Sequence, residues 1–441
     1  MSHLSHIEGF SIRDGRLFFS GVDTVELAKE YGTPLWVLSE DIAREKCRRY
    51  VQAFRSHGVE ATVAYAGKAF LTTGFCGLLD REGMGLDVCS GGELHTASAA
   101  GFPMERVLFH GNNKTPGEIE LALELGVSRF VVDNLYELRL LDELAGRAGK
   151  VQPIFFRATP GINTHTHHHI QTGHLDTKFG FGIENGQAEE AIRIARGLEN
   201  VRLVGLHCHI GSQLFDLAAF RAGAWITLDF IGRLRDLFPG EEWELDLGGG
   251  LGIRYSSEDY PPSIEEYVGT LCAAVREKTS ELGMPMPRRL WIEPGRSIVA
   301  PAGLTLYTVG AVKPIPGIRT YIAVDGSMAD HPRTALYGSI YTSVLANKAG
   351  RPPAQAYSVA GKACESGDMI IYQAALSEPE PGDLLAVFCT GAYHYSMSSN
   401  YNRLPRPAVV GLAEGRSRLL VRRETFSDLL RNDFNPYRSQ S

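Results

Sequence analysis

The run VAYAGKAF, residues 63–70, carries one lysine, Lys68, where a buried strand should end and an ammonium is least expected. A lysine there offers an amine that forms an imine with a carbonyl carbon once it is uncharged. Burial and a cationic neighbour both lower a lysine's pKa and free that amine. Other reactive side chains gather where later apolar runs end: Asp87, Ser90, His110, Asp133, Arg157, His209, Asp246 and Glu293. The stretch DLGGGLGI, 246–253, lets successive backbone N–H groups face an anion, although three glycines equally mark a tight turn. The next apolar run ends in EPGR, 293–296, and two such consecutive loops form a phosphate site in barrel proteins. Phosphate cup, imine-forming lysine and an acid for a ring nitrogen together suit pyridoxal phosphate. Lys68 would supply the imine. Glu293 would keep the ring nitrogen protonated and the ring a strong electron sink, which favours decarboxylation; an arginine there would leave the ring neutral, as a racemase needs.

The elements that must position these residues follow from periodicity. Eight short β-rich runs lie between about residues 60 and 295: 61–67, 85–89, 106–110, 129–133, 153–157, 202–209, 243–248 and 289–294. Between them, segments such as PGEIELALELG carry apolar residues at three- and four-residue spacing, the mark of amphipathic helices. Their number and length predict an α/β fold, a (β/α)8 TIM-type barrel, with a doubly wound open sheet as the competing layout. After Pro301 the pattern changes to short strands separated by Gly, Pro, Asp and Asn. FSIRDGRLFFSG near the start reads as a hairpin on an Asp-Gly turn. The expected organisation is a barrel over 36–300 and an all-β domain built from 1–35 and 301–441.

Composition bounds the rest. A chain of 441 residues with 44% hydrophobic and 22% charged residues suits a two-domain globular protein. A net charge of −7 without a basic run points away from nucleic acid and anionic membrane. No apolar segment approaches the roughly 20 residues of a membrane span, and the first residues lack a secretory pattern. Seven scattered cysteines with no C-x-x-C pair suit free thiols, so a cytoplasmic location is expected.

In order along the chain, YAGKAF, GLDVCSGGEL, FHGNNK, HTH with DTKFGF, GLHCHIGSQ, DLGGGLGI, EPGRS, CESGD and GAYHYSMSSNYN resemble diaminopimelate decarboxylase, from about Pro34 to Pro407. That family belongs to the alanine-racemase-fold class, with ornithine decarboxylase, and its fold is a barrel plus a β-domain. The resemblance implies pyridoxal phosphate as cofactor and decarboxylation of meso-2,6-diaminopimelate to L-lysine, the last step of lysine biosynthesis. It implies that Lys68 forms the imine, His209 lies against the ring, and Ser212, Gly249 and Gly250 hold phosphate with the backbone of Glu293, Pro294, Gly295 and Arg296. Glu293 meets the ring nitrogen. Arg296, Arg333, Tyr337, Glu365 and Tyr393 bind substrate, Tyr393 also touching phosphate, and Cys364 returns the proton. It further implies a homodimer, with the CESGD loop reaching into the neighbouring site. Arginines suit the distal carboxylate of diaminopimelate, which ornithine and lysine lack. A decarboxylase of ornithine, D-lysine or a carboxynorspermidine-like substrate is the alternative. Two positions depart from the family pattern: Thr334 stands where a second proline is usual, and Thr159 where asparagine is common.

Blander readings stand beside these. HTHHHI, 165–170, has too few donors at ligand spacing for a metal, so none is expected and a mobile active-site loop is the alternative. His110 and Lys114 in HGNNK read equally as loop or site residues. Cys364 alone would read as a core thiol, and Cys89 and Cys208 read as packing.

Overall fold

The computed structural model describes residues 4–161, 177–238 and 240–437. The alternating runs form eight parallel strands: β1 Ala61–Ala66, β2 Gly85–Val88, β3 Val107–Phe109, β4 Arg129–Val132, β5 Gln152–Thr159, β6 Val201–Cys208, β7 Glu244–Asp246 and β8 Arg289–Ile292. Each pairs with the next, and β8 returns to β1, so the sheet closes into a barrel rather than a doubly wound sheet. A two-residue strand, Phe181–Gly182, adds to β5 from outside the ring. Local chemistry starts the helices on time. Thr115 and Glu118 form a reciprocal capping box, Pro116 opens the helix Pro116–Leu125, and left-handed Gly126 ends it. Ser263 and Glu266 do the same for Ile264–Glu281.

Ala64, Leu108, Val131, Phe155, Val204 and Trp291 fill the barrel as one buried cluster. Each large apolar side chain buried this way is worth about 1.5–3 kcal/mol. A Cβ on Gly205 would sit 1.8 Å from the Glu244 carbonyl oxygen, so glycine is what lets β6 and β7 approach there. Glu244 accepts from Arg129 Nη2 at 2.9 Å and from Trp291 Nε1 at 2.9 Å, which satisfies the indole N–H within the barrel.

Chain contacts divide the molecule into Ala43–Ile253 with Tyr260–Ile298, the barrel unit, and Met1–Ile42, Arg254–Asp259 and Val299–Ser441, the β unit. In the β unit, Gly303–Ile315 is the central strand, flanked by Leu35–Ser39, Arg319–Val324 and Leu384–Phe388. Leu35–Ser39 also pairs in parallel with Ala408–Ala413, which places it in the β unit although the sequence assigns residues from 36 onward to the barrel. The residues LWVLS are buried throughout and read like a barrel strand; only pairing with distant segments decides their unit. Residues 254–259 likewise belong here, with the Tyr255 ring edge-on to Tyr341 at 5.4 Å and its carbonyl accepting from Thr342 Oγ1 at 3.1 Å. The hairpin Phe10–Arg13 and Arg16–Phe19 turns at Asp14 and Gly15, both at positive φ. Strands Ser343–Leu345 and Arg416–Val421 are additions that the sequence pattern did not announce. Among the described residues, no helix is long and apolar enough to cross a membrane.

Candidate active site

Strand ends of the barrel unit bring the first group together. Lys68 sits on a short turn, Gly67–Ala69, just after β1, with Nζ 3.5 Å from Asp87 Oδ2. Its side chain is 48% exposed, not buried as the strand pattern implied, because β1 stops two residues earlier. Asp87, at the end of β2, is buried and also lies 3.8 Å from His110 Nε2.

Glu293, directly after β8, is buried between two imidazoles. His207 Nε2 is 3.1 Å from Oε2, and since a carboxylate only accepts, this nitrogen carries the hydrogen. His110 Nε2 lies 2.5 Å from Oε1, but off hydrogen-bond geometry, so among the described residues neither of those two atoms has a well-formed partner. Burial pushes the Glu293 carboxyl up, yet His110 and His207 outweigh it and hold it well below its ordinary range. Burial holds His207 down to about 4 despite the carboxylate. Asp246, at the end of β7, is pushed well up by burial and then by Glu293; its Oδ1 accepts from Gly248 N at 2.8 Å. Burial thus acts on both carboxyls, and the imidazoles offset it at Glu293 alone. His207 escaped the sequence reading because it lies inside a strand; its i, i+2 relation to His209 was the available signal. His209 is pushed well below its ordinary value by burial, with Lys68 and Arg157 adding to it.

The glycine run does more than turn. A Cβ on Gly249 would lie 2.1 Å from the Glu293 carbonyl oxygen, and one on Gly250 2.4 Å from that of Gly211. Gly250 also has φ +123, closed to other residues. Gln213, not singled out by the sequence, ties the loops after β6 and β7: Nε2 donates to Ile253 O at 2.8 Å, and Oε1 accepts from Ile253 N at 3.1 Å. Arg296 Nη2 donates to Ser212 Oγ at 3.0 Å, joining the loop after β8 to the one after β6. Pro294 O accepts from Ala66 N at 3.2 Å, and a Cβ on Gly295 would meet Ala66 and Ala69 near 3 Å, which fits the EPGR turn against the Lys68 turn.

Two rim residues have local structural partners. Ser90 caps the helix Gly91–Ala99. Lys114 is buried, donating to Glu137 Oε1 at 2.7 Å and to the carbonyls of Gly111 and Val131 at 2.9 Å. The motif HTHHHI lies outside the described residues.

The other candidates belong to the β unit. Arg333, on the short helix Pro332–Tyr337, is buried; Nε donates to Tyr341 Oη at 3.1 Å, and its guanidinium carbon lies 4.9 Å from the Tyr337 ring and 5.1 Å from that of Tyr393. Two stacked rings and one hydroxyl fix the fork while leaving its terminal nitrogens for a planar anion. Thr334 Oγ1 donates to Ile370 O at 2.8 Å, and in the barrel unit Thr159 Oγ1 donates to Phe179 O at 3.0 Å, so both departures from the family pattern serve local packing. Cys364 is exposed, its backbone N–H donating to Asn402 Oδ1 at 2.7 Å. Glu365 Oε1 accepts from Ser366 Oγ and Gly367 N at 3.3 Å. Asp368 closes the CESGD turn by accepting from Met328 N and Ala363 N.

A family model for the pyridoxal binding domain of pyridoxal-dependent decarboxylases matches residues 40–300. Diaminopimelate decarboxylase of Bacillus subtilis is 49% identical over 419 residues, 95% of each chain. The chain belongs to the diaminopimelate decarboxylase family. The same enzyme of Mycobacterium tuberculosis is 45% identical over 428 residues, 94% of each chain. A crystal structure of diaminopimelate decarboxylase from M. jannaschii in complex with L-lysine superposes with a TM-score of 0.90 at 36% identity, covering 97% of this chain and 98% of that one. Membership in the diaminopimelate decarboxylase family makes this a pyridoxal-phosphate-dependent decarboxylase, as the lysine, acid and glycine loops implied.

Proposed function

We propose that this protein removes carbon dioxide from meso-2,6-diaminopimelate to leave L-lysine, acting as a cytoplasmic homodimer in which the CESGD loop of one subunit completes the site of the other. The observation that carries the substrate is Arg333, a buried guanidinium clasped by Tyr341 and two aromatic rings. Such a fork suits the carboxylate of the centre that does not react, and a substrate lacking it would leave the charge unmatched. The relatives named diaminopimelate decarboxylase and the lysine-bound neighbour favour the same reading over ornithine or D-lysine.

The residues suit pyridoxal phosphate. Among the described residues, buried Glu293 Oε1 accepts no well-formed hydrogen bond, His110 Nε2 approaching it off-angle at 2.5 Å, so a protonated ring nitrogen would find an acceptor there. Lys68, His209, Ser212, Gly249, Gly250, Glu293, Pro294, Gly295, Arg296 and Tyr393 would hold the group. When bound, it supplies an electron sink for the pair left behind by departing carbon dioxide. The chain does the rest. Lys68 Nζ must lose a proton to become a free amine, and Asp87 Oδ2, 3.5 Å away, is placed to take that proton, leaving both groups neutral. Neutral His209 presents a flat imidazole without adding positive charge. Arg296, Tyr337 and Tyr393 orient the substrate, Glu365 accepts from its distal ammonium, and Cys364 Sγ delivers a proton to the α-carbon on a fixed face.

Carbon dioxide release from a panel of diamino acids tests the substrate. Diaminopimelate should be turned over to lysine, with ornithine and D-lysine at least about 100-fold slower, a gap of the size that unmatched buried polar groups produce. Equal turnover of ornithine would overturn the assignment. Borohydride reduction followed by peptide mapping should label Lys68 and no other lysine.

A further inference from the structure

Four buried groups at the ends of β3, β6, β7 and β8 stand closer together than any one role requires. One ligating atom from each of His110, His207, Asp246 and Glu293 lies within 4.8 Å of the other three. Three of the four have no part in the proposed reaction. We infer that His110 and His207 are positioning residues that keep Glu293 a carboxylate toward the cofactor's ring nitrogen, with Asp246 beside it holding the compensating proton. This rests on the reading that Glu293 faces that nitrogen.

The chemistry decides between the possible charge states. Two carboxylates this close and this dry cannot both ionise, so the pair keeps one proton. The imidazoles favour anionic Glu293: His207 donates to Oε2 at 3.1 Å, and His110 approaches Oε1 at 2.5 Å. Asp246 has no such escort. Its Oδ1 takes one backbone N–H, and among the described residues no group donates a well-formed hydrogen bond to its buried Oδ2, which has Glu293 as its neighbour. Asp246 accordingly lies pushed up and Glu293 pulled down. The other titratable and charged groups facing the quartet are Asp87, 3.8 Å from His110, with Lys68 beyond it, Glu93 toward His110, Arg157 and His209 toward His207, Cys89 toward Glu293, and Cys208 and Tyr267 toward Asp246 and Glu293. Without the imidazoles, burial would return a proton to Glu293, and the ring nitrogen would lose its anionic partner. The same donor types could instead hold a divalent cation, which would occupy the Glu293 oxygens and exclude this role.

The test uses holoenzyme reconstituted with cofactor labelled with 15N at the ring nitrogen, whose resonance reports its protonation directly. In the wild type it should remain protonated through neutral pH. His110→Phe and His207→Phe keep a ring but remove the nitrogens that face Glu293. Each should lower the pH at which the resonance moves by about one unit, a tenfold change in proton affinity. Asp246→Asn, which fixes a neutral group there, should leave it in place. Unmoved resonances in both phenylalanine variants, with Glu293→Gln losing ring protonation, would overturn the inference alone. A resonance unaffected by Glu293→Gln would overturn the reading beneath it. A stoichiometric metal in the purified protein would also overturn the inference. If the phenylalanine variants take up no cofactor, the full pair with Glu293→Gln on folded apo-protein decides: equal loss of the 1-deaza cofactor analogue, which has no ring nitrogen, marks a merely structural role and overturns it, whereas retained analogue binding supports it.

Discussion

Replacing Lys114 with methionine should destabilise the barrel unit by about 3–5 kcal/mol, the cost of leaving one member of a buried ion pair without its partner. The stranded group is Glu137, whose Oε1 loses a 2.7 Å contact and keeps only the N–H of Asp133 on Oε2. The carbonyls of Gly111 and Val131 lose their ammonium donor as well. Lys114→Met with Glu137→Leu removes both charges and should cost only about 1–3 kcal/mol, so the coupling between the positions should reach about 3 kcal/mol. Urea unfolding followed by tryptophan fluorescence suits the measurement, because Trp225, Trp243 and Trp291 belong to the barrel unit and only Trp36 to the β unit. The pH dependence has a definite sign. Burial already holds Glu137 above its ordinary value, with Lys114 pulling it back. Without Lys114 its folded value rises further, and the folded variant takes up a proton before the unfolded chain does. The deficit should be full at neutral pH and shrink as pH falls through that raised value toward about 4.3. A single variant within about 1 kcal/mol of wild type that nevertheless fails to bind cofactor would refute the reasoning and make Lys114 a site residue.

Arg333→Ala should cut kcat/KM for diaminopimelate by at least about 30-fold, the loss expected when one partner of a desolvated charge pair is truncated, while leaving slow turnover of ornithine nearly unchanged; steady-state kinetics on both substrates checks it. Gly249→Ala places a methyl 2.1 Å from the Glu293 carbonyl oxygen and should weaken cofactor binding at least about tenfold by absorbance titration, whereas Gly117→Ala, whose methyl meets nothing within 4 Å, should not. Thr334→Val should cost about 1–2 kcal/mol in unfolding, since the carbonyl of Ile370 loses its 2.8 Å donor, without altering substrate preference.

The barrel was legible because its strands are buried on both faces, so each appears as an unbroken apolar run, and because capping residues such as Thr115 and Ser263 mark where helices begin. Leu35–Ser39 misled for the same reason: a buried run does not name its partner, and this one pairs with strands roughly 270 and 370 residues away. The polar groups at strand ends were visible one by one, and Glu293 stood out through EPGR. The quartet around it was not, because His207 is hidden by strand alternation and no local rule joins the ends of β3, β6, β7 and β8. The Tyr341 contact to Arg333 was equally silent, eight residues along the chain and across a turn.

Gln213 has a consequence for anyone who redesigns this enzyme. Its amide grips the main chain of Ile253 from both sides, and Leu214 and Gly250 add a further bond, so two segments 40 residues apart behave as a single part. Swapping either segment alone from a relative would discard the grip, whatever the quality of the new loop. Chimeras should succeed only when both are exchanged as a matched pair.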